Sequence, residues 1–359
     1  MFNNILVPLD GSLLAERSIS HAEQFARVFG GKITLLQVLD PSPYHESQRA
    51  VEPLNWQIRK AEVEMYLQGT AAKIRESGIQ ADHALREGCA PENIVDFARA
   101  ENFDLVVLSS HGASGLSRWN IGSVVSKVMD KIFLPMLLVR AFQDLGESIP
   151  VTGGNPGGEL PSQPHVMGGQ AENAGSASPA AISERTFSPF LYRRILLPID
   201  SSRRAECALP AATTLARGEQ GEPATVIMGA VIGPPSLPIP APYPEEILQL
   251  IERFMRLSRS AVSSYLNEMA QRIEGDCEIR IVENGNASAG LHELVEKENV
   301  DLVVLCAHGQ TGGTSYPYGS VARNYLEYGN KTVLVVQDVP LSQVRPTAAE
   351  IAADKYGRR

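Results

Sequence analysis

The residues best suited to chemistry lie in a short segment that occurs twice. Ser109-Ser110-His111-Gly112 is followed after nine residues by Gly122-Ser123, and Cys306-Ala307-His308-Gly309 is followed at the same spacing by Gly319-Ser320. Glycine lets the backbone approach a ligand closely. The N–H groups and the dipole at a helix N-terminus attract an anion. A glycine loop that leads into a helix therefore predicts a phosphate site.

The elements around each loop are predictable. Leu105-Val106-Val107-Leu108 and Leu302-Val303-Val304-Leu305 precede the loops, and short apolar runs of this kind are typical of strands buried on both faces. Residues 124 to 129 have helical periodicity, with Ser123 where an N-cap is expected. Alternatively, the glycines are simple turn residues and no ligand binds. Two copies with the same spacing favour an inherited phosphate-type site.

The loop resembles the nucleotide loop of the universal stress protein family, which reads Gly, two residues, Gly, nine residues, Gly-Ser/Thr. The spacing matches in both halves, but Ser109 and Cys306 stand where the first glycine is expected. The resemblance implies an adenine nucleotide alpha hydrolase-like fold. It also implies a stress-response regulatory protein that binds ATP, ADP or AMP without a defined turnover.

The order of predicted elements from residue 4 to 140 is β-α-β-α-β-α-β-α-β, which is typical of a doubly wound parallel sheet. A second copy begins at Arg194. The fold class is therefore α/β, with two five-stranded parallel sheets in tandem, each in the order 3-2-1-4-5 that the resemblance implies. The predicted divisions are domain 1 (1–141), a flexible linker (142–190), domain 2 (191–338) and a C-terminal tail (339–359).

The linker prediction rests on composition. Gly, Pro, Ser, Ala and Gln dominate residues 153 to 179, and such a segment buries too little apolar surface to order itself. A long covered loop is the alternative. Limited proteolysis is expected to cut first between residues 145 and 188 and to leave two resistant halves.

In an open parallel sheet, ligands bind outside the carboxyl ends of the strands, where Asp10 and Gly112 both lie. Asp10 can accept hydrogen bonds from a ribose or base, or can cap the following helix. The resemblance favours the nucleotide role and adds Val38, with Val231 as its chosen counterpart. The predicted nucleotide-binding residues are Leu9, Asp10, Val38, Ser109, Gly112, Gly122, Ser123 and Val124 in domain 1, and Asp200, Val231, Gly309, Gly319, Ser320 and Val321 in domain 2.

Domain 2 is expected to bind less tightly, because Cys306 is larger than glycine and Tyr316-Pro317-Tyr318 would crowd Gly319. Arg323 could pair with a phosphate or be a solvated helix residue. His111 and His308 have no accompanying nucleophile or acid at a defined spacing, so no catalytic residue is predicted. A slow ATP hydrolase and a ligand-free interaction module remain the alternatives.

Composition limits the partners. The net charge of −9 and the pI near 5.4 argue against nucleic acid and anionic membranes. No apolar run approaches the ~18 residues of a membrane span, and four scattered cysteines predict reduced thiols, so a cytoplasmic location is expected.

No metal-ligand cluster is evident, and Mg²⁺ would arrive only with the nucleotide. The two halves are expected to pack as a pseudo-dimer through residues 136–139 and 333–336, because apolar edge strands seek partners. Further homodimerisation of the whole chain is left open.

Overall fold

A computed structural model describes residues 1–41, 53–112, 121–140, 192–218, 223–310, 313, 315–344, 346 and 351. The predicted α/β class is confirmed, with two similar sets of five strands. The strands are β1 (Asn4–Leu9), β2 (Lys32–Leu39), β3 (Ala81–Glu87), β4 (Leu105–Ser109), β5 (Met136–Val139), β6 (Arg194–Pro198), β7 (Thr225–Ile232), β8 (Cys277–Glu283), β9 (Leu302–Cys306) and β10 (Thr332–Val336).

Helices follow the strands in both halves. They are α1 (Leu13–Phe29), α2 (Pro53–Glu76), α3 (Ala90–Ala100), α4 (Ser123–Met129), α5 (Leu209–Ala216), α6 (Glu245–Ala270), α7 (Ala287–Lys297) and α8 (Ser320–Tyr328). A 3₁₀ turn at Ala205–Ala208 precedes α5, and another lies at Leu341–Gln343 in the predicted tail. No described helix is both long enough and apolar enough to cross a membrane.

Local sequence explains where α1 begins and ends. The Ser12 hydroxyl accepts a hydrogen bond from the Ala15 N–H at 3.2 Å and so caps the first turn. Gly30 ends the helix at φ +68°, a left-handed conformation that glycine adopts at no steric cost. The sequence predicts this helix over residues 13 to 29, with Gly30-Gly31 ending it, and both bounds are confirmed.

All ten strands form one sheet in the order β3-β2-β1-β4-β5-β10-β9-β6-β7-β8. Pairing is parallel within each half, which gives the predicted order 3-2-1-4-5 twice. The two predicted sheets are continuous, because β5 and β10 pair antiparallel at the middle. Two apolar edge strands thereby satisfy each other's backbone groups.

The core lies in two layers, one on each side of the sheet. Leu137 and Leu334 are register partners that face the first layer, and Leu138 and Val333 are partners that face the second. All four are fully buried. Helices α1, α2, α5 and α6 contribute to the first layer, and α3, α4, α7 and α8 contribute to the second. Both layers therefore run through the pairing of the two halves.

The predicted linker at residues 142–190 lies outside the described residues. The bounds of the two domains, at 1–141 and 191–338, stay predictions. Tyr192 is the first described residue after the gap, and its fully buried ring lies against Phe25 of α1, with the ring centroids 6.2 Å apart. The start of the second half is therefore packed on a helix of the first.

Candidate functional site

The candidate site lies where the strand order reverses. Strand β1 pairs with β2 on one side and with β4 on the other, and all three run parallel. Their carboxyl ends therefore open at one edge, and the connections that follow β1 and β4 leave to different sides. A crevice at this point is where doubly wound sheets bind ligands. The equivalent reversal in the second half lies between β6, β7 and β9.

Asp10 directly follows β1 and is exposed. Its Oδ1 accepts a hydrogen bond from the Ser12 N–H at 2.9 Å. Gly11 between them has φ +79°, which permits this tight turn. The alternative interpretation of Asp10 as a helix cap is therefore replaced, because Ser12 is the N-cap and Asp10 holds the turn that presents it.

Asp10 and Gly112 bring the loops after β1 and β4 together. A Cβ atom built on Gly112 would lie 2.0 Å from Asp10 Oδ2, so a side chain there would have to displace the exposed Asp10 carboxylate. The second half repeats the contact, because a Cβ on Gly309 would lie 2.2 Å from Asp200 Oδ2. Asp200 also accepts hydrogen bonds from the N–H groups of Ser202 at 3.0 Å and Gln310 at 2.8 Å. The aspartate thus bridges the two loops.

Gly122 returns the loop to the sheet. Its N–H donates to the Ser110 carbonyl oxygen at 2.7 Å, and its own carbonyl accepts the first helical bond, from Ser126. Gly122 is therefore the N-cap of α4, and the prediction that Ser123 is the N-cap is wrong by one residue. Ser123 is the exposed first residue of the helix. The same shift places Gly319 at the cap and Ser320 inside α8.

No described packing contact requires glycine at position 122. Its φ is −62°, which every residue adopts, and the nearest described atom to an added Cβ is the Ser110 oxygen at 3.5 Å. At Gly319 the corresponding distance to the Ala307 oxygen is 3.3 Å, which is tighter. The described fold therefore leaves room for a side chain at Gly122.

The residues at the first motif position face inward. Ser109 is buried and donates its hydroxyl to the His111 carbonyl oxygen at 2.8 Å. Cys306 is 8 % exposed and belongs to the first core layer. The expectation that Cys306 crowds its loop is therefore not supported. The predicted crowding of Gly319 by Tyr316-Pro317-Tyr318 is wrong for Tyr318, which is 7 % exposed and part of the second core layer. Tyr316 is 69 % exposed, and its part in the crowding stays a prediction.

The two motif histidines have structural contacts. His111 Nδ1 lies 3.0 Å from the Ser110 hydroxyl. His308 Nδ1 lies 2.7 Å from Asp338 Oδ1, and its Nε2 lies 2.9 Å from the Tyr316 carbonyl oxygen. Both ring nitrogens of His308 therefore lie within hydrogen-bond distance of groups that belong to the fold.

Asp338 is a residue that the sequence analysis did not select. Burial raises its pKa, but hydrogen bonds from His308 and Arg204 outweigh burial and hold the pKa below its ordinary value. Arg204 lies just after the first loop of the second half, and its guanidinium is 2.6 Å from Asp338 Oδ2. Asp338 lies two residues after the end of β10. This position near the end of a strand was the feature of the sequence that could have indicated a role at the site.

The remaining predicted residues occupy matched positions. Val38 and Val231 are each the second-last residue of their strand, half-buried against the second core layer. Leu9 is buried in the first layer, so only its backbone lies at the strand end. Val124 is exposed and Val321 is half-buried in the first turns of α4 and α8.

Arg323 forms ion pairs with two acidic side chains. It pairs with Glu327 at 2.9 Å and with Asp130 of the first half at 2.9 Å. Its predicted phosphate role thus competes with an ion pair that crosses between the halves.

Gln37 is a polar residue of the site that the sequence analysis passed over. It is 8 % exposed, pairs in register with Leu9, and lies beside Gly11, whose added Cβ would be 3.7 Å from Gln37 Nε2. Its Oε1 has no hydrogen-bond partner among the described residues. A glutamine within an otherwise apolar strand was the signal. The equivalent residue of β7 is Ala230.

A hydrogen bond between a tyrosine and a glutamate recurs in both halves. The Tyr66 hydroxyl donates to Glu16 at 2.9 Å, and the Tyr265 hydroxyl donates to Glu206 at 3.1 Å. Burial first, then the Glu16 carboxylate and more weakly Asp10, raise the pKa of Tyr66 above its ordinary range. Among the described residues, no group of three His, Cys, Asp or Glu side chains could hold a metal ion.

Comparison with known proteins agrees with the repeated architecture. The profile of the universal stress protein family matches residues 1–140 and 191–337. Universal stress protein MJ0531 of Methanocaldococcus jannaschii is 28% identical over 142 residues, which cover 39% of this chain and 83% of that protein. Universal stress protein YxiE of Bacillus subtilis is 26% identical over 149 residues, covering 39% of this chain and 100% of that protein.

Solved structures match along nearly the whole chain. A universal stress protein from Archaeoglobus fulgidus has a TM-score of 0.57 at 15% identity and covers 94% of this chain and 100% of its own. A putative universal stress protein from Pseudomonas aeruginosa has a TM-score of 0.57 at 16% identity, covering 93% of both chains. These structures show the same fold. With both halves matched by the family profile, the chain belongs to the universal stress protein family as a tandem member.

Proposed function

We propose that this protein is a stress-response regulator that binds an adenine nucleotide at the crevice between β1 and β4 of its first half. The observation that carries the proposal is Gly122. A Cβ at Gly112 would meet the Asp10 carboxylate, whereas no described contact or backbone angle requires glycine at 122. A ligand that approaches the backbone closely supplies the missing reason.

The polar groups around the crevice suit a nucleotide. Asp10 presents an exposed carboxylate that can accept hydrogen bonds from a ribose. Gln37 offers an amide whose oxygen lacks a described partner, and a buried amide without a partner costs free energy. Val38 gives an apolar surface at the next strand end. A mostly apolar crevice with a few placed polar groups is typical of small-molecule sites.

The second half is proposed to bind less tightly. Ala230 replaces Gln37 there, which removes the amide. Gly319 is partly accounted for by its closer packing against the Ala307 oxygen. The weaker binding is argued from these two differences, because Cys306 and Tyr318 face the core. Mg²⁺ would accompany a bound triphosphate and would be held chiefly by its phosphate oxygens.

Calorimetry of the full chain with ATP, ADP and AMP tests the proposal. Asp10→Asn removes a carboxylate oxygen and is expected to weaken nucleotide binding about tenfold or more, whereas Asp200→Asn, its match in the second half, is expected to change the tighter binding little. Absence of heat with all three nucleotides would support a ligand-free interaction module. Release of inorganic phosphate from ATP, measured in the same samples, would instead support a slow hydrolase.

A further inference from the structure

Two cysteines of the second half lie in contact. Cys207 belongs to the 3₁₀ turn Ala205–Ala208, and Cys306 is the last residue of β9. Their Sγ atoms are 3.0 Å apart, although 99 residues separate them in the chain. A disulfide has a sulfur–sulfur distance of about 2.05 Å. A further approach of about 1 Å would therefore bring the two sulfurs to bonding distance.

The pair is not part of the internal repeat. The repeat places Arg17 opposite Cys207 and Ser109 opposite Cys306, so the first half has no thiol at either position. Both cysteines are nevertheless packed in the same core layer. Ser109 uses its hydroxyl within its own loop, whereas Cys306 has a second thiol as neighbour.

The two thiols lie close together in surroundings that slow their oxidation. Cys306 is 8 % exposed, and Cys207 is half-buried, so a small oxidant can reach Cys207 first. The hydrogen bond to Cys306, burial and nearby negative charge raise the pKa of the Cys207 thiol well above its ordinary value. Because the thiolate is the reactive form, oxidation at neutral pH is slow.

We propose that Cys207 and Cys306 form a disulfide when the protein meets a peroxide. Cys207 sulfur attacks hydrogen peroxide, the O–O bond breaks, and a sulfenic acid and one water form. The Cys306 sulfur then attacks the Cys207 sulfur, the S–O bond breaks, and the second water leaves with the Cys306 proton. Two thiols and one peroxide thus give one disulfide and two waters, with a thiol reductant reversing the bond.

This disulfide would tie together the two segments that meet at the second-half loop. Cys207 follows Ser202, the N–H donor to Asp200, by five residues, and Cys306 precedes Gly309 by three. The cross-link therefore joins the 3₁₀ turn after β6 to the end of β9, on either side of the contact between Asp200 and Gly309. It assigns an oxidation site to the second half regardless of whether a nucleotide binds there.

Peptide mapping of the full chain tests the proposal. The Cys89→Ser variant removes the exposed thiol that would join separate chains. After hydrogen peroxide treatment and alkylation, trypsin places the four cysteine positions in separate peptides. We expect peptide 205–217 linked to peptide 298–323, with a loss of about two mass units per chain. Free thiols fall from three to one, and dithiothreitol restores them.

The matched control is Cys306→Ser, which introduces the residue that the first half has at this position. It is expected to abolish the linked peptide, whereas Cys277→Ser should leave it unchanged. Complete alkylation of peptide 205–217 after prolonged oxidation of the Cys89→Ser protein would overturn the proposal. So would a link from Cys207 to Cys277, or one found only between two chains. The mapping uses the unaltered pair and therefore holds even where a control variant folds poorly.

Discussion

At the residue scale, Gly112 and Gly122 lie in one loop but differ in what surrounds them. An added Cβ at Gly112 would meet the Asp10 carboxylate at 2.0 Å, while one at Gly122 would make ordinary van der Waals contact. The loop spacing could be predicted from the sequence, and so could the position of Asp10 at a strand end. The contact between Asp10 and Gly112 could not, because it joins residues about one hundred positions apart.

Alanine substitutions separate the two glycines. Gly112→Ala is expected to displace the Asp10 carboxylate, which accepts the Ser12 N–H, and to lower the free energy of unfolding by about 1 kcal/mol. Gly122→Ala is expected to change it by less than about 0.5 kcal/mol, since the site is partly exposed and has room. Urea unfolding of both variants measures the difference. Equal losses would contradict the assigned contacts.

The buried side chain of His21 is expected to make the stability of the folded protein depend on pH. It is buried beside Tyr192, with Nδ1 2.5 Å from the hydroxyl. Burial, and then the charge of Arg17, lower its pKa to about 3. The pKa of His21 in the folded protein is thus below its value near 6.5 in the unfolded chain. The contribution of neutral, buried His21 to the free energy of unfolding is therefore fully present above pH 6.5 and is lost as the pH falls towards 3. The loss over this pH range is on the order of 5 kcal/mol.

Unfolding by urea at a series of pH values checks this prediction. The glutamine of His21→Gln cannot take up a proton. Between pH 6 and 4, the free energy of unfolding of this variant should therefore fall less steeply than that of the unmodified protein, and the two slopes should differ by about 1.4 kcal/mol per pH unit. Tyr192→Phe keeps the burial of His21 and should retain the slope. A slope unchanged in His21→Gln would mean that another group is responsible.

At the scale of elements, two arginines connect the halves in different surroundings. Arg140 follows β5 and donates from Nη2 to the carbonyl oxygens of Tyr325 and Leu326, both at 2.8 Å, near the C-terminus of α8. Burial lowers its pKa to about 10, so it stays charged at neutral pH. Arg323 pairs with Asp130 at the surface and is 43 % exposed.

Arg140→Ala is therefore expected to cost about 2–3 kcal/mol, because it removes charge-assisted hydrogen bonds to helix carbonyls. The ion pair of Arg323 with Asp130 also joins the two halves. Arg323→Ala should nevertheless lower the free energy of unfolding by at most about 1 kcal/mol, because solvent screens an exposed pair. The urea midpoints of the two variants give the comparison. A larger effect at Arg323 would reverse the assigned order.

The elements themselves were largely predictable, for local reasons. Alternating and continuous apolar runs indicated the strands, and Ser12 and Gly30 indicated both ends of α1. The start of α4 was missed by one residue, because Gly122 caps through its backbone and leaves no side-chain signal. The inward direction of Cys306 and Tyr318 was missed because it depends on neighbours from distant parts of the chain.

At the scale of the whole molecule, the two halves resemble two subunits of a symmetric dimer joined in one chain. β5 and β10 pair antiparallel, as two equivalent edges do across a two-fold axis. The continuous sheet could be predicted in outline, since both last strands are apolar edges. The linker between residues 142 and 190 stays a prediction.

A first half made alone, as residues 1–140, exposes β5 without β10. We expect it to form a homodimer through two copies of that strand, because the edge is apolar and its backbone groups need partners. Sedimentation equilibrium measures the mass. Replacing Leu138 by Lys should shift the equilibrium towards monomer. A soluble first half that stays monomeric at all concentrations would contradict the symmetric account.

The central claim is that a nucleotide binds over Gly122 of the first half. Gly122→Val places a branched side chain in a position that the described fold leaves open, so the protein should fold while binding is lost. Gly319→Val is the matched variant of the second half. In calorimetry with ATP, we expect the tighter binding to be lost in Gly122→Val and retained in Gly319→Val. Unchanged binding in Gly122→Val, with the fold intact by circular dichroism, would contradict it.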